Sequence, residues 1–138
     1  MKMELQNKNI IYLGGFGGIG KKCIEEFLKK DIQNLIIFDL REDSQVLKYL
    51  QDTYKSCMIH YIPVDVTKSE SIAEAFKQAK EKLDYIDLVV NGCGLMNDTH
   101  LDLTIDINLV SFHIKIINKA HIIRIQIVFF FNLSVVLL

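Results

Sequence analysis

The chain has no tryptophan, a single proline (Pro63) and only three cysteines, Cys23, Cys57 and Cys93. One proline excludes a proline-rich linker or polyproline segment. Three widely spaced cysteines, none in a C-x-x-C pair, exclude a disulfide framework and read as reduced thiols of an intracellular protein. His60, His100, His113 and His121 show no metal-ligand spacing, so no metal site is expected. An excess of one charge is missing too. Lys and Arg number 16 against 17 Asp and Glu, and the net −1 carries no electrostatic footprint for nucleic acid. No apolar run reaches the ~20 residues of a membrane-spanning helix. The uncharged end, residues 125–138, has only 14 residues, interrupted by Gln126, Asn132 and Ser134. Residues 1–8 are polar and cannot form the apolar core of a signal peptide. The expected location is the cytoplasm.

Half of the residues are hydrophobic and about a quarter are charged, a globular composition, and 138 residues suffice for one core. The stretch that organises the chain is Ile10-Ile11-Tyr12-Leu13-Gly14-Gly15-Phe16-Gly17-Gly18-Ile19-Gly20, an apolar run leading into five glycines in seven residues. Gly15, Gly17 and Gly20 form G-x-G-x-x-G. With a strand before, a helix after and an acid about 20 residues on, that spacing is a dinucleotide fingerprint. The acid is Asp39, at the end of the apolar run 35–38. The first glycine permits the tight turn and the second lets the backbone approach a pyrophosphate. The third lets the helix pack on the strand with its N-terminal N–H groups toward the anion. Residues 15–21 also satisfy the G-x-x-x-x-G-K of a triphosphate-binding loop, but Lys22 stands where that motif needs Ser or Thr for Mg²⁺.

Strand candidates at 9–13, 35–38, 58–64 and 86–90 alternate with helical patterns. Gly20, Ile24, Phe27 and Leu28 share one helix face; Val46, Leu47 and Leu50 share a second, after a cap at Asp43 or Ser44. Thr67-Lys68-Ser69-Glu70 has the capping-box pattern and precedes a third apolar stripe, Ile72, Phe76, Ala79 and Leu83. The β-α-β-α-β-α-β order with short connections predicts an α/β fold with a parallel sheet. Ligands of such sheets bind beyond the C-terminal strand ends. There the turn 14–20, Asp39, Asp65 and the run 91–94 all converge.

With these residues in place, the chain resembles the short-chain dehydrogenase/reductase family, most closely its insect alcohol-dehydrogenase type, from about Asn7 to about Asn108 or Phe112. Gly14, Gly18 and Gly20 match the family's G-x-x-x-G-x-G, Asp39 its NAD-selecting acid, and Asp65-Val66 its adenine-side segment. Asn91-Gly92-Cys93-Gly94 is similar to N-[NG]-A-G, and Asn108 matches the family's catalytic-site Asn. The resemblance implies a Rossmann-type doubly wound parallel sheet. It also implies NAD bound by Gly14, Gly15, Phe16, Gly17, Gly18, Ile19, Gly20, Asp39, Asp65, Val66, Asn91, Gly92 and Gly94, and Asn108 at the catalytic centre. A small-molecule alcohol or carbonyl substrate and pairing into homodimers through helices, one starting near Leu101, are implied as well. Arg41 keeps NADP as a minor alternative.

The family's reaction uses a Ser and a Tyr with a Lys four residues later. None of the five tyrosines here, Tyr12, Tyr49, Tyr54, Tyr61 and Tyr85, has that Lys. The expectation is a dinucleotide-binding unit at 1–112, the N-terminal half of such an enzyme, and a hydrophobic tail at 113–138 without family resemblance. The tail is read as the end of a truncated or misassembled frame, ahead of a strand or helix completing the sheet and of a hydrophobic anchor. The expected function is NAD-dependent oxidoreduction in the family, with this chain inactive. The alternative is a non-catalytic NAD-binding or storage/interaction protein.

Overall fold

The computed structural model describes residues 4–93 and 126–129. In chain order the elements are β1 (Asn9–Leu13), α1 (Gly18–Leu28), β2 (Asn34–Asp39), α2 (Ser44–Thr53), β3 (Met58–Pro63), α3 (Ser69–Lys82), β4 (Leu88–Asn91) and β5 (Gln126–Phe129). All strand pairings are parallel and the sheet order is β3-β2-β1-β4-β5. The order runs outward from β1 in one direction, then jumps back to its other side at β4. This reversal is the topological switch point, where an open α/β sheet leaves a crevice.

Short unalternating runs form the central strands because both of their faces are covered. All residues of β1 and β4 are buried. Ile11, Leu13, Ile36, Phe38 and Val89 meet Ile72, Ala75, Phe76 and Ala79 of α3 on one face. Ile10, Tyr12, Leu35, Ile37 and Val90 meet Ile24 and Leu28 of α1 and Leu50 of α2 on the other. With helices on both faces, the sheet is doubly wound. Phe27, Val46 and Leu47 are only partly buried at the border of that second cluster.

One local detail differs from the sequence pattern. The capping box expected at 67–70 does not form: α3 starts at Ser69 behind Lys68, with no side-chain cap bond. The Thr67 hydroxyl and N–H both donate to Asp65 Oδ1, at 2.6 and 3.0 Å, so a local turn takes the group the box requires. Within 113–138, β5 pairs its four residues with Leu88 to Asn91 in register, the strand that was one of the readings open for that stretch.

At the amino ends of the strands a polar network closes the sheet. Asn9 is buried; its N–H donates to Asp87 Oδ2 at 2.8 Å and its amide to the Tyr85 carbonyl at 3.0 Å. The Asn34 amide donates to Asn9 Oδ1 at 2.7 Å, and Lys8 approaches Asp87 at 3.5 Å. Buried polar groups are tolerated where every one is partnered, and these are.

Candidate active site: a crevice at the carboxyl ends of the strands

Gly14 follows β1 with φ +76°, a conformation that glycine adopts without steric cost. Its N–H donates to the Phe38 carbonyl at 2.8 Å, and its carbonyl accepts from Gly17 at 3.3 Å. The glycines around it divide into two kinds. A Cβ on Gly20 would lie 2.2 Å from the Gly14 carbonyl oxygen, and one on Gly15 would lie 2.6 Å from Ile24 and Ile37. Helix-to-strand packing requires both. A Cβ on Gly17 would meet only the Gly14 oxygen, at 3.5 Å, and one on Gly18 nothing within 4 Å. The fold therefore does not require those two glycines. They leave bare backbone facing outward at the start of α1, a helix with no side-chain cap and no acid in its first turn. Unpaired N–H groups at a helix start attract an anion.

Asp39 closes the turn from the adjacent strand. Its Oδ2 accepts from Phe16 N–H at 3.0 Å and its Oδ1 from Leu40 N–H at 2.7 Å. The Phe16 ring stands 5.6 Å from Tyr61, whose hydroxyl donates to the Asp39 carbonyl at 3.2 Å. Spacing alone did not reveal these ties, which make Asp39 a support of the glycine turn as well as a rim carboxylate.

After β3, Asp65 is held by its own loop. Its N–H donates to Ser71 Oγ at 2.8 Å, and Lys68 lies 3.4 Å from Oδ2. The Thr67 hydroxyl, chiefly, keeps its carboxyl below the usual carboxylate range. After β4, Asn91 is buried and accepts from Cys93 N–H at 2.9 Å, so it shapes the loop without reaching the crevice. Gly92 is a packing glycine: a Cβ there would meet the Tyr12 ring at 2.6 Å, and its N–H donates to the Leu13 carbonyl at 2.8 Å. Burial, with Asp39 nearby, pushes the Cys93 thiol up to about 12, which suits an inert wall residue better than a nucleophile.

These strand ends enclose a cavity of about 710 Å³ lined by Gly14, Phe16, Gly17, Asp39, Asp65, Val66 and Cys93. Gly15, Gly18, Ile19, Gly20, Asn91 and Gly92 lie outside the lining, and Ile19 is exposed. Gly94 and Asn108 lie outside the described residues. The lining also includes residues 40–45, from the end of β2 into the first turn of α2, of which the sequence pattern had pointed only to Arg41 as a cofactor-side residue and to Asp43 or Ser44 as a cap. The available signal was proximity to Asp39. Asp43, expected as a helix cap, does cap α2 by accepting from Val46 N–H at 3.1 Å. That bond and then Lys21 hold its carboxyl below the ordinary range. Among the described residues no cluster of His, Cys, Asp and Glu is suited to a metal ion, and no helix is long and apolar enough to cross a membrane.

A family profile described as short chain dehydrogenase matches residues 8–119. An alcohol dehydrogenase 2 of Ceratitis cosyra is 32% identical over 108 residues, which are 78% of this chain and 42% of that protein. The chain thus spans less than half the length of the curated relatives it matches. A crystal structure of a short-chain dehydrogenase/reductase, a glucose/ribitol dehydrogenase from Brucella melitensis, superimposes with TM-score 0.67 at 27% identity, covering 87% of this chain and 53% of that one. An NADH-dependent reductase, A1-R', complexed with NAD, shares the fold with TM-score 0.68 at 19% identity, over 83% of this chain and 51% of its own.

Proposed function

Because this chain belongs to the short-chain dehydrogenase family, we propose that its 138 residues form the dinucleotide-binding part of an NAD(H)-dependent oxidoreductase for an alcohol/carbonyl pair. The observation that carries the reading is the bare backbone of Gly17 and Gly18, which no packing contact requires, beside a carboxylate on the next strand. A phosphate-bearing ligand fits that arrangement. The first-turn N–H groups of α1 would hold the pyrophosphate. Asp39 would accept the adenosine ribose hydroxyls with lone pairs that Phe16 and Leu40 leave free. Val66 and the backbone of Asp65 would flank the adenine. The relatives named as alcohol dehydrogenases and the neighbour complexed with NAD support the substrate class and the cofactor.

When bound, the nicotinamide supplies the hydride acceptor or donor; the protein supplies binding and orientation. No tyrosine of this chain has a lysine four residues on, so no residue matching the family's proton-transfer pair is present. We therefore expect these residues alone to bind without turnover. The second reading is a non-catalytic NAD-binding or storage/interaction protein. The three free thiols, Cys23, Cys57 and Cys93, support a cytoplasmic location. Association into homodimers is part of the proposal.

The test is thermal unfolding with NADH and NADPH, since a ligand selective for the folded state raises the midpoint. NADH at 100 times its dissociation constant should stabilise by about 2.7 kcal/mol, a rise of several degrees. NADPH should do less, and Asp39→Asn should narrow the difference about tenfold in affinity. No shift with either ligand refutes the reading. Oxidation of a secondary alcohol with NAD⁺ would exclude the non-catalytic alternative.

A further inference from the structure

The dinucleotide reading leaves one ion pair unused. Lys21 lies in the first turns of α1, and Asp43 caps α2; Lys21 Nζ stands 3.0 Å from Asp43 Oδ2. The pair joins the helix behind the glycine turn to the segment that follows Asp39. Asp43 lines the same cavity as Asp39 and Arg41, so the Lys21 ammonium is one hydrogen bond behind the cavity wall. Arg41 has no ion-pair partner among the described residues.

The charges at this wall decide which dinucleotide it tolerates. Asp39, Glu42 and Asp43 oppose two cations, Arg41 and Lys21, and Asp43 engages one of those cations internally. If the Asp43 charge were removed, the wall would lose one of its carboxylates, and Lys21 would be released from its ion pair beside an Arg41 that has none among the described residues. Two such cations suit a phosphate dianion, because both side chains donate several charge-assisted hydrogen bonds. The cap bond from Val46 N–H needs only an oxygen acceptor, which Asn or Ser also provides. Capping by itself therefore does not explain a carboxylate at this position.

We propose that Asp43 is a specificity-determining residue, which excludes a dinucleotide carrying a 2′-phosphate by engaging Lys21 and by placing a second carboxylate at the cavity wall beside Asp39. The proposal rests on the dinucleotide reading.

The experiment measures dissociation constants of NADH and NADPH by fluorescence of the reduced nicotinamide, on the 138-residue chain and its Asp43→Asn, Asp43→Ser and Asp43→Asn/Lys21→Gln variants. The unaltered chain should prefer NADH. Asp43→Asn should raise the NADPH-to-NADH affinity ratio about fivefold, the scale of one solvent-screened unit charge at close range. Adding Lys21→Gln should cancel that gain, and so should high salt. A ratio that does not move in Asp43→Asn, or in Asp43→Ser where the Asn variant fails to fold, overturns the proposal. A gain that survives Lys21→Gln also overturns it, as does an unaltered chain that binds both ligands equally. Binding of NADH with no response to these substitutions sinks only this proposal. Absence of binding by either nucleotide sinks the dinucleotide reading and this proposal with it.

Discussion

The two ends of the parallel sheet use similar residues for opposite purposes. At the amino ends, Asn9, Asn34 and Asp87 bond one another and the Tyr85 carbonyl, so the protein satisfies its own buried polar groups. At the carboxyl ends, Asp39 and Asp65 are supported by their loops but stand at an open cavity, and α1 begins without a side-chain cap. Backbone polarity at a strand or helix end must be satisfied somewhere. The amino end satisfies it internally, which stabilises; the carboxyl end leaves part of it open at the cavity. Gly17 and Gly18 mark that difference, because no neighbouring side chain asks for them.

The largest effect should come from turning a packing glycine into alanine. Gly20→Ala places a Cβ 2.2 Å from the Gly14 carbonyl oxygen, backbone against backbone, and should cost about 3 kcal/mol or more in denaturant unfolding. Gly18→Ala, with no atom within 4 Å of its Cβ, should leave stability equal or slightly higher while weakening NADH binding. Equal stability of the two variants would contradict the division of the glycines into those that packing requires and those that it does not.

Next comes the amino end. Asn9→Ala strands the Asn34 amide and the Tyr85 carbonyl and should cost about 2 kcal/mol, with the NADH affinity of the folded protein unchanged. A matching loss of affinity would show that the two ends are not separable.

A pH effect of comparable or smaller size sharpens the same contrast. Cys57, buried just before β3 at the amino end, has its thiol pushed up by burial to about 11 from 9.0. The folded state disfavours the thiolate. Its contribution is therefore fully present below pH 9 and is lost as pH rises toward 11. The loss should be on the order of 2 kcal/mol. Cys57→Ala should flatten that window in unfolding measured from pH 8 to 11.5. An unchanged slope would assign the alkaline loss to other groups.

Much of the fold was legible because its signals are local and periodic. The runs in β1, β2 and β4 are apolar without alternation, and the stripe Ile72, Phe76 and Ala79 carries the helical period, so their burial follows from composition. Asp39 was legible because its distance from the glycines is set by the length of one helix and one strand. The Asn9 network was not, since Asn9 meets Asp87 across 78 residues and nothing in either neighbourhood announces the pairing. The failed capping box was misread for the opposite reason: its pattern is present, but Asp65 Oδ1 takes both the Thr67 hydroxyl and its N–H.

The α/β order, the glycine turn and the acid on the next strand follow from residue pattern alone, because hydrophobic period and glycine spacing act over a few residues. Tertiary contacts set which glycines serve packing and which leave backbone open, and they let Asp39 brace the turn through Phe16. Those contacts also bring Lys21 and Asp43 together behind the crevice wall and set β5 beside β4. Each of these depends on two segments brought together by sheet order, and the energy of such contacts resides in neither segment alone.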